Sequence, residues 1–443
     1  MTDALALPLG WFHPSRKPFR FTVLAFASLM VFGSYFAYDS LGAIESLLMK
    51  TWGVDRGAIG ATYTMYSLAA IPTVFIGGML IDRLGTRRAS LLFSGLVTLG
   101  AVIVAVAPSL PVLYAGRLVF GMGSESLVVA QSAILARWFH GKELALSFGI
   151  TLTVSRLGTL FTFNTEALLA ERFGIAAALG TAAALCGLSL LANLVYNLMD
   201  RHAEPAIGLK EAGAGEKIVF ADIKRFNPSF WFVTLLCVTF YSAIFPFTAL
   251  STDMFHEKWG LPLTAGGEGG GFLASIFSNY LHMFSTAGGT TSIIIFASMV
   301  FAPFAGSFVD RIGKRASLMV VGSLLMIPCH LVLGLTHVTP AFPMIALGAA
   351  FVLVPAAMWP SVPLVVEKDR VGTAYGLMTA IQNIGLMLFP FINGQLRDAT
   401  HGYTASQVTF AALGAVGFVF AILLLRADRR AGGVLERGHA PAH

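Results

Sequence analysis

Residues 78–88, GMLIDRLGTRR, return later in the chain as residues 306–315, GSFVDRIGKR. Both read Gly-x-x-x-Asp-Arg-x-Gly, and Asp82 and Asp310, like Gly78 and Gly306, stand 228 positions apart. A glycine lets the backbone turn tightly, an aspartate beside it can cap the next helix or pair with an arginine, and clustered basic residues hold such a turn on one side of a membrane. The chain therefore reads as two similar halves, each with this turn between its second and third helices. A second echo agrees: GKELALSFG from Gly141 and GTAYG from Gly372 both lead into the fifth helix of a half, and Gly149 and Gly376 lie 227 positions apart.

Outward from these turns the chain is too apolar for a soluble globule. Of 443 residues, 56% are hydrophobic and 12% charged, and the mean hydropathy is +0.76. A hydrocarbon core of about 30 Å needs roughly 20 apolar residues per helix. Twelve such runs can be placed, at 20–48, 57–81, 86–107, 111–137, 143–169 and 174–199, then at 229–255, 286–309, 314–336, 341–366, 372–396 and 405–426. The expected fold is an all-α membrane protein of 12 transmembrane helices in two six-helix bundles. The first bundle takes residues 1–199, a polar cytoplasmic linker 200–228, and the second bundle 229–443 with an enlarged outer loop at 256–285. Arg16, Lys17 and Arg20 precede the first run as in a signal peptide, but that run is too long and lacks a small-residue cleavage site, so it stays as a spanning helix.

With both termini inside, 22 of the 29 Lys and Arg residues fall in cytoplasmic segments, five fall outside, and Arg117 and Arg156 lie within helices. The formal charge of +6 then belongs to loops facing anionic headgroups, and no basic patch interleaved with aromatics points to nucleic acid. Cys186, Cys237 and Cys329 fall inside helices without paired spacing, and no histidine forms a ligand-spaced set, so neither disulfides nor a metal site is expected. No nucleophile elbow or phosphate-binding loop occurs, so the chain reads as neither an enzyme nor ATP-driven, with no cofactor.

Two copies of the Asp-Arg-x-Gly turn at one offset resemble the signature loop of the major facilitator superfamily, and the resemblance spans nearly the whole chain. It implies that Asp82, Arg83, Asp310 and Arg311 form a cytoplasmic latch between the bundles, acting on conformation and not on substrate.

Arg156 lies in GITLTVSRLGTLFTFN, residues 149–164, a run otherwise suited to lipid. A mid-membrane charge costs about 2.5–3.5 kcal/mol on insertion scales and so faces a bundle interior or a wet cavity, usually with a partner. Glu125 in the antiparallel fourth helix reaches similar depth, while the equivalent second-half positions are Leu353 and Ile384. The pair is thus either a structural salt bridge or a receptor for a zwitterion, Arg156 taking a carboxylate and Glu125 an amine. Asp39, with Tyr35 one turn away, is a second buried acid that could bind an amine, carry a proton or cap a helix break. Tyr38, Tyr241, Gln382 and Asn383 can hydrogen-bond a ligand. Trp359, among Pro355, Pro360 and Pro363, marks a helix irregularity beside a cavity. Arg117 with Gly121 matches the superfamily's fourth-helix Arg-x-x-x-Gly pattern, which implies a structural or proton-linked role.

The segments GSYFAYDS, GRLVFGMGSESLVVAQ, YSAIFPF, MWPSVPLVV and GTAYGLMTAIQNIG together resemble the branch of that superfamily containing the animal lysosomal dipeptide transporters. The resemblance implies a carrier for dipeptides or related small zwitterions working by alternating access, with Glu125, Arg156, Trp359 and Asn383 at ligand positions. It leaves uniport and coupling to protons through Asp39, Glu125 or Arg117 as alternatives. A carrier for an organic or inorganic anion and a non-transporting receptor or assembly subunit are the competing readings. The expected partners are a small-molecule substrate and the lipid bilayer. The animal proteins work with a glycosylated lumenal companion; the enlarged outer loop here puts an equivalent partnership in doubt, and an accessory subunit stays open without a feature that supports it. Without glycosylation or lysosomal sorting signals, the sequence suits a bacterial inner membrane better than a lysosome.

Overall fold

The computed structural model describes residues 13–139, 143–207, 220–265, 271–367 and 370–437. Parts of the linker, of the glycine-rich insert and of the loop before residue 370 lie outside them, as do the side chains of Gly306, Ser307 and Asp310. The described chain is helical: α1 (Lys17–Ala43), α2 (Glu45–Trp52), α3 (Arg56–Ala105), α4 (Leu110–Phe139), α5 (Leu144–Phe173), α6 (Ile175–Ile207), α7 (Pro228–Trp259), α8 (Phe272–Leu281), α9 (Ala287–Ile312), α10 (Arg315–Leu335), α11 (Ala341–Met358), α12 (Val362–Val365), α13 (Val371–Thr400) and α14 (Thr404–Arg430).

Eleven of these helices are long and apolar enough to span a bilayer. The fifty residues of α3 would reach about 75 Å at 1.5 Å per residue, more than twice the hydrocarbon core. Gly85, with φ 78° and ψ 161°, breaks α3 into two crossings, which gives the twelve expected from sequence. Gly313, 228 positions on, also has positive φ, 66° with ψ −122°, and ends α9 before α10 begins. The repeated motif thus places its glycine where a side chain would be strained. Asp82, Arg83 and Arg311 are exposed at this turn end, while the Asp310 side chain lies outside the described residues.

Some predicted boundaries differ. The first run breaks at Ile44 into α1 and α2, just after the point where the Tyr63 hydroxyl accepts from the Gly42 amide at 3.1 Å. The sixth helix continues through the predicted linker start to Ile207 because its extension is tied by charge. Arg137 and the Trp138 indole donate to buried Asp200, both at 2.8 Å, and Arg87 reaches Glu204 at 2.6 Å. Residues 359–361 form a tight 3-10 turn between α11 and α12, which is the irregularity expected near Trp359.

The two ends of the molecule are fastened differently. At the end bearing the termini, the ties just named and the Lys17 and Arg20 contacts with Glu143 join elements of the first half. Lys17 and Arg20 hold the Glu143 carboxyl below the usual carboxylate range. Glu436 likewise accepts from Ser317 within the second half. At the far end the ties cross between halves. Arg56 at the start of α3 meets Asp253 at 2.7 Å and Glu257 at 2.6 Å on α7, and Asp398 at 3.4 Å on α13. Within the second half, Tyr403 also donates to Asp253, and Arg397 meets Glu257 at 2.5 Å, so the acids that Arg56 reaches are held in place.

The outer insert supplies a second crossing. The buried Ser275 and Asn279 of α8 face α5, taking a hydrogen bond from Arg172 at 2.5 Å and giving one to the Asn164 carbonyl at 2.5 Å. Tyr280 pairs with Thr165 at 2.7 Å. On the opposite side of α8, Phe277 and Leu281 are exposed and continue, through the Phe284–Phe296 ring contact, the outward apolar stripe of Phe296, Val300 and Phe304 on α9.

Candidate functional site

Between the halves at mid-depth lies a cavity of about 240 Å³, walled by α1, α3, α4 and α5 on one side and α7, α9, α11 and α13 on the other. Its volume falls just under the roughly 300–1,000 Å³ of ordinary small-molecule pockets, so it suits a solute of small size. Seven residues singled out from sequence line it: Tyr35, Tyr38 and Asp39 from α1, Glu125 from α4, Arg156 from α5, Tyr241 from α7 and Gln382 from α13.

The two opposite charges share this cavity, but each is held by a neutral partner. The Tyr66 hydroxyl donates to Glu125 Oε1 at 2.9 Å. Arg156 Nη1 donates to Ser298 Oγ at 2.5 Å, and its guanidinium lies 4.9 Å from the centre of the Phe351 ring. Of the two readings of these charges, a structural salt bridge between them is not formed in this state. A hydroxyl neutralises no charge, so neither group has an opposite charge as its hydrogen-bond partner here, though each gives one site to a hydroxyl. Ser298 is on α9 and Phe351 on α11, so the first-half cation is already seated on the second half.

Asp39 is buried beside the Thr159 hydroxyl, on the wall shared with Tyr35. Arg117 lies elsewhere. It is 1% exposed, donates to the carbonyls of Thr62, Ala37 and Tyr38 at 3.3–3.4 Å, and is ringed by Tyr38, Tyr63, Tyr66 and Phe120. This caging ties three helices together and fits the structural alternative. Trp359 and Asn383 stand behind the wall. The Trp359 indole donates to the Tyr241 hydroxyl at 3.0 Å and so orients a residue that does face the cavity. Asn383 is buried, its amide bonded to the Thr379 carbonyl at 3.1 Å.

Sequence reasoning missed Tyr66, Ser298 and Phe351, which hold the two charges. Tyr66 follows Tyr63 by one turn, a weak signal for a polar face in an apolar helix. Ser298, within a run of apolar residues, gave none. It also passed over Glu166, fully buried and accepting from Ser40 at 2.8 Å.

A family model described as Major Facilitator Superfamily matches residues 27–283 and again 270–441. The chain belongs to the major facilitator superfamily. It is a multi-pass membrane transporter of that family and not an enzyme. Lysosomal dipeptide transporter MFSD1 of Homo sapiens is 32% identical to it over 439 residues, 96% of this chain and 89% of that protein. The Danio rerio protein of the same name is 31% identical over 430 residues, 94% of this chain and 88% of the relative. The probable sulfoacetate transporter SauU of Cupriavidus necator is 21% identical over 427 residues, 91% of this chain and 94% of that one. The crystal structure of the nucleoside transporter NupG superposes with a TM-score of 0.64 at 16% identity, covering 91% of this chain and 98% of that chain, a likeness of fold alone. In this superfamily member the cavity sits on the boundary between the six-helix bundles, where repeat-built carriers place their substrates.

Proposed function

We propose that the chain carries dipeptides or closely related small zwitterions across a bacterial inner membrane by alternating access, with both termini cytoplasmic. The observation that carries this reading is one small cavity holding Arg156 and Glu125, each bonded to a hydroxyl and not to the other. A guanidinium binds a carboxylate through two parallel hydrogen bonds, and a carboxylate receives an ammonium. Tyr35, Tyr38, Tyr241 and Gln382 supply polar contacts to the peptide group, while Phe245 and Phe351 give apolar surface without a shaped side-chain pocket. Trp359 and Asn383 serve this wall from behind. The names of the MFSD1 relatives support the same cargo.

The moving bodies are the two six-helix bundles, the first ending with α6 at Ile207 and the second beginning with α7 at Pro228, joined by the linker between them. With ion pairs crossing at the far end, we read the structure as the state closed to the outside. Asp82, Arg83, Asp310 and Arg311 would latch the cytoplasmic side when the cavity faces out. Asp39 and Glu125 are the cavity acids available for proton coupling, with uniport as its alternative.

The test is a thermal-shift screen of the purified protein with dipeptides, tripeptides, single amino acids and organic anions, because a ligand of the native state raises its apparent stability. Dipeptide stabilisation lost in Arg156→Ala, followed by dipeptide flux in proteoliposomes, supports the proposal. A response to organic anions alone would replace it with an anion carrier, the reading favoured by the single cavity cation and by the name of the SauU relative.

A further inference from the structure

The cluster that closes the far end contains a carboxyl with nothing to hold. Glu45, the first residue of α2, is completely buried, and neither of its side-chain oxygens has a hydrogen-bond partner. Asp253 and Glu257 on α7, Arg56 on α3 and Asp398 on α13 lie within electrostatic range of it. So do Tyr63 on α3 and Tyr403 just before α14. Arg56 is already engaged by Asp253, Glu257 and Asp398, and Arg397 by Glu257. Four carboxyls thus share two guanidiniums, and Glu45 is the one that neither guanidinium reaches.

We propose that Glu45 is a proton-binding site of the outer gate, loaded when the two bundles close over it and emptied to the outside when they part. A bare carboxylate sealed from water beside three others is costly, and a proton removes that cost without any further ligand. Burial and the neighbouring charge of Asp253 push the Glu45 carboxyl well above its ordinary range, with Arg56 opposing them. When the bundles separate, α2 meets water and the carboxyl returns to ordinary acidity. Closing therefore takes up one proton from the outer aqueous phase. The sign follows directly: closure is fully favoured below the ordinary carboxylate pKa and loses that support as pH rises through the raised one. For a single proton, the closed-to-open ratio changes by up to about tenfold per pH unit between the two values. The site lies apart from the cargo cavity, so this inference does not depend on which solute the protein carries.

Two measurements without any cargo test it. In nanodiscs at neutral pH, the infrared band of protonated carboxyl groups should be weaker in Glu45→Gln than in the parent protein; an unchanged band overturns the proposal. Spin labels at Ser109→Cys and Thr339→Cys, exposed at the far end of the two halves, report gate separation, with the three native cysteines buried. The parent protein should show the wider distance gaining population as pH rises, and Glu45→Gln should stay closed with no pH slope. A parent distribution that ignores pH, or a slope that survives in Glu45→Gln, overturns the linkage. Because glutamine is isosteric with the protonated acid, the variant keeps the packing that closure requires.

Discussion

Arg156 on α5 gives a hydrogen bond to Ser298 on α9, 2.5 Å away and in the other half of the molecule. The charge that should grasp a substrate carboxylate is therefore itself a bridge between the halves. A carboxylate entering the cavity would compete for the donor that Ser298 occupies, so binding and the relation of the halves are linked at one nitrogen.

Removing that nitrogen should remove the cargo. Arg156→Ala is expected to abolish dipeptide-dependent thermal stabilisation while the protein remains folded in detergent. Arg156→Lys keeps the charge but not the bidentate fork, and should retain only weak binding. Isothermal titration of both variants checks this, and unchanged affinity in Arg156→Ala would remove the central assignment.

The amine end has its own pair. Tyr66→Phe deletes the hydrogen bond to Glu125, and hydrogen bonds to charged groups are worth about 1.5–3 kcal/mol. Affinity for free-amine dipeptides should fall by at least several-fold, while N-acetylated analogues bind as before. Glu125→Gln should discriminate in the same direction and more strongly. Equal losses for both ligand classes would refute an amine role for Glu125.

At the far end, Arg56→Ala strips the cationic partner from Asp253, whose side chain is 2% exposed. Breaking a buried pair in this way costs about 3–5 kcal/mol in typical cases. The closed state bears that cost, so the variant should open outward and melt at a lower temperature. Distance measurements between the halves, together with a thermal melt, distinguish it from simple misfolding.

Gly85→Ala and Gly313→Ala each put a side chain on a positive-φ residue, at a cost of about 1–3 kcal/mol. Both should lower the melting temperature, whereas alanine at Gly149, where an added carbon meets nothing within 4 Å, should not. Similar melts for all three would deny the two turns their conformational constraint.

The fold was legible because its signals are local or periodic. Apolar run lengths gave the crossings, and the repeated Asp-Arg-x-Gly turn gave the two halves. The charged cavity residues were legible for a related reason, since Asp39, Glu125 and Arg156 are expensive in lipid wherever the chain puts them. Their partners were not. Ser298 and Phe351 carry no cost that marks them, and only folding brings them to Arg156 across 142 and 195 positions of chain. Depth matching placed Glu125 and Arg156 together but could not supply rotation about each helix axis, so it could not choose between a direct pair and the two hydroxyl bonds that exist. Trp359 and Asn383 fell one layer too deep for the same reason. Glu45 escaped notice because it stood near the end of an apolar run, where an acid looks solvated.

The ties at the two ends differ in ownership, and that gives dissolved salt a direction. Arg137–Asp200, Arg87–Glu204 and Arg20–Glu143 each keep their charges within one half, so weakening them does not change how the halves stand. Arg56–Glu257 spans the halves, and Glu257 is one-third exposed, within reach of counterions. At 0.15 M ionic strength the screening length is about 8 Å, falling to about 3 Å at 1 M. Rising ionic strength weakens exposed ties at both ends, but only at the shared end does that loosen one half from the other, so bathing electrolyte becomes a bias on which face of the membrane the cavity addresses.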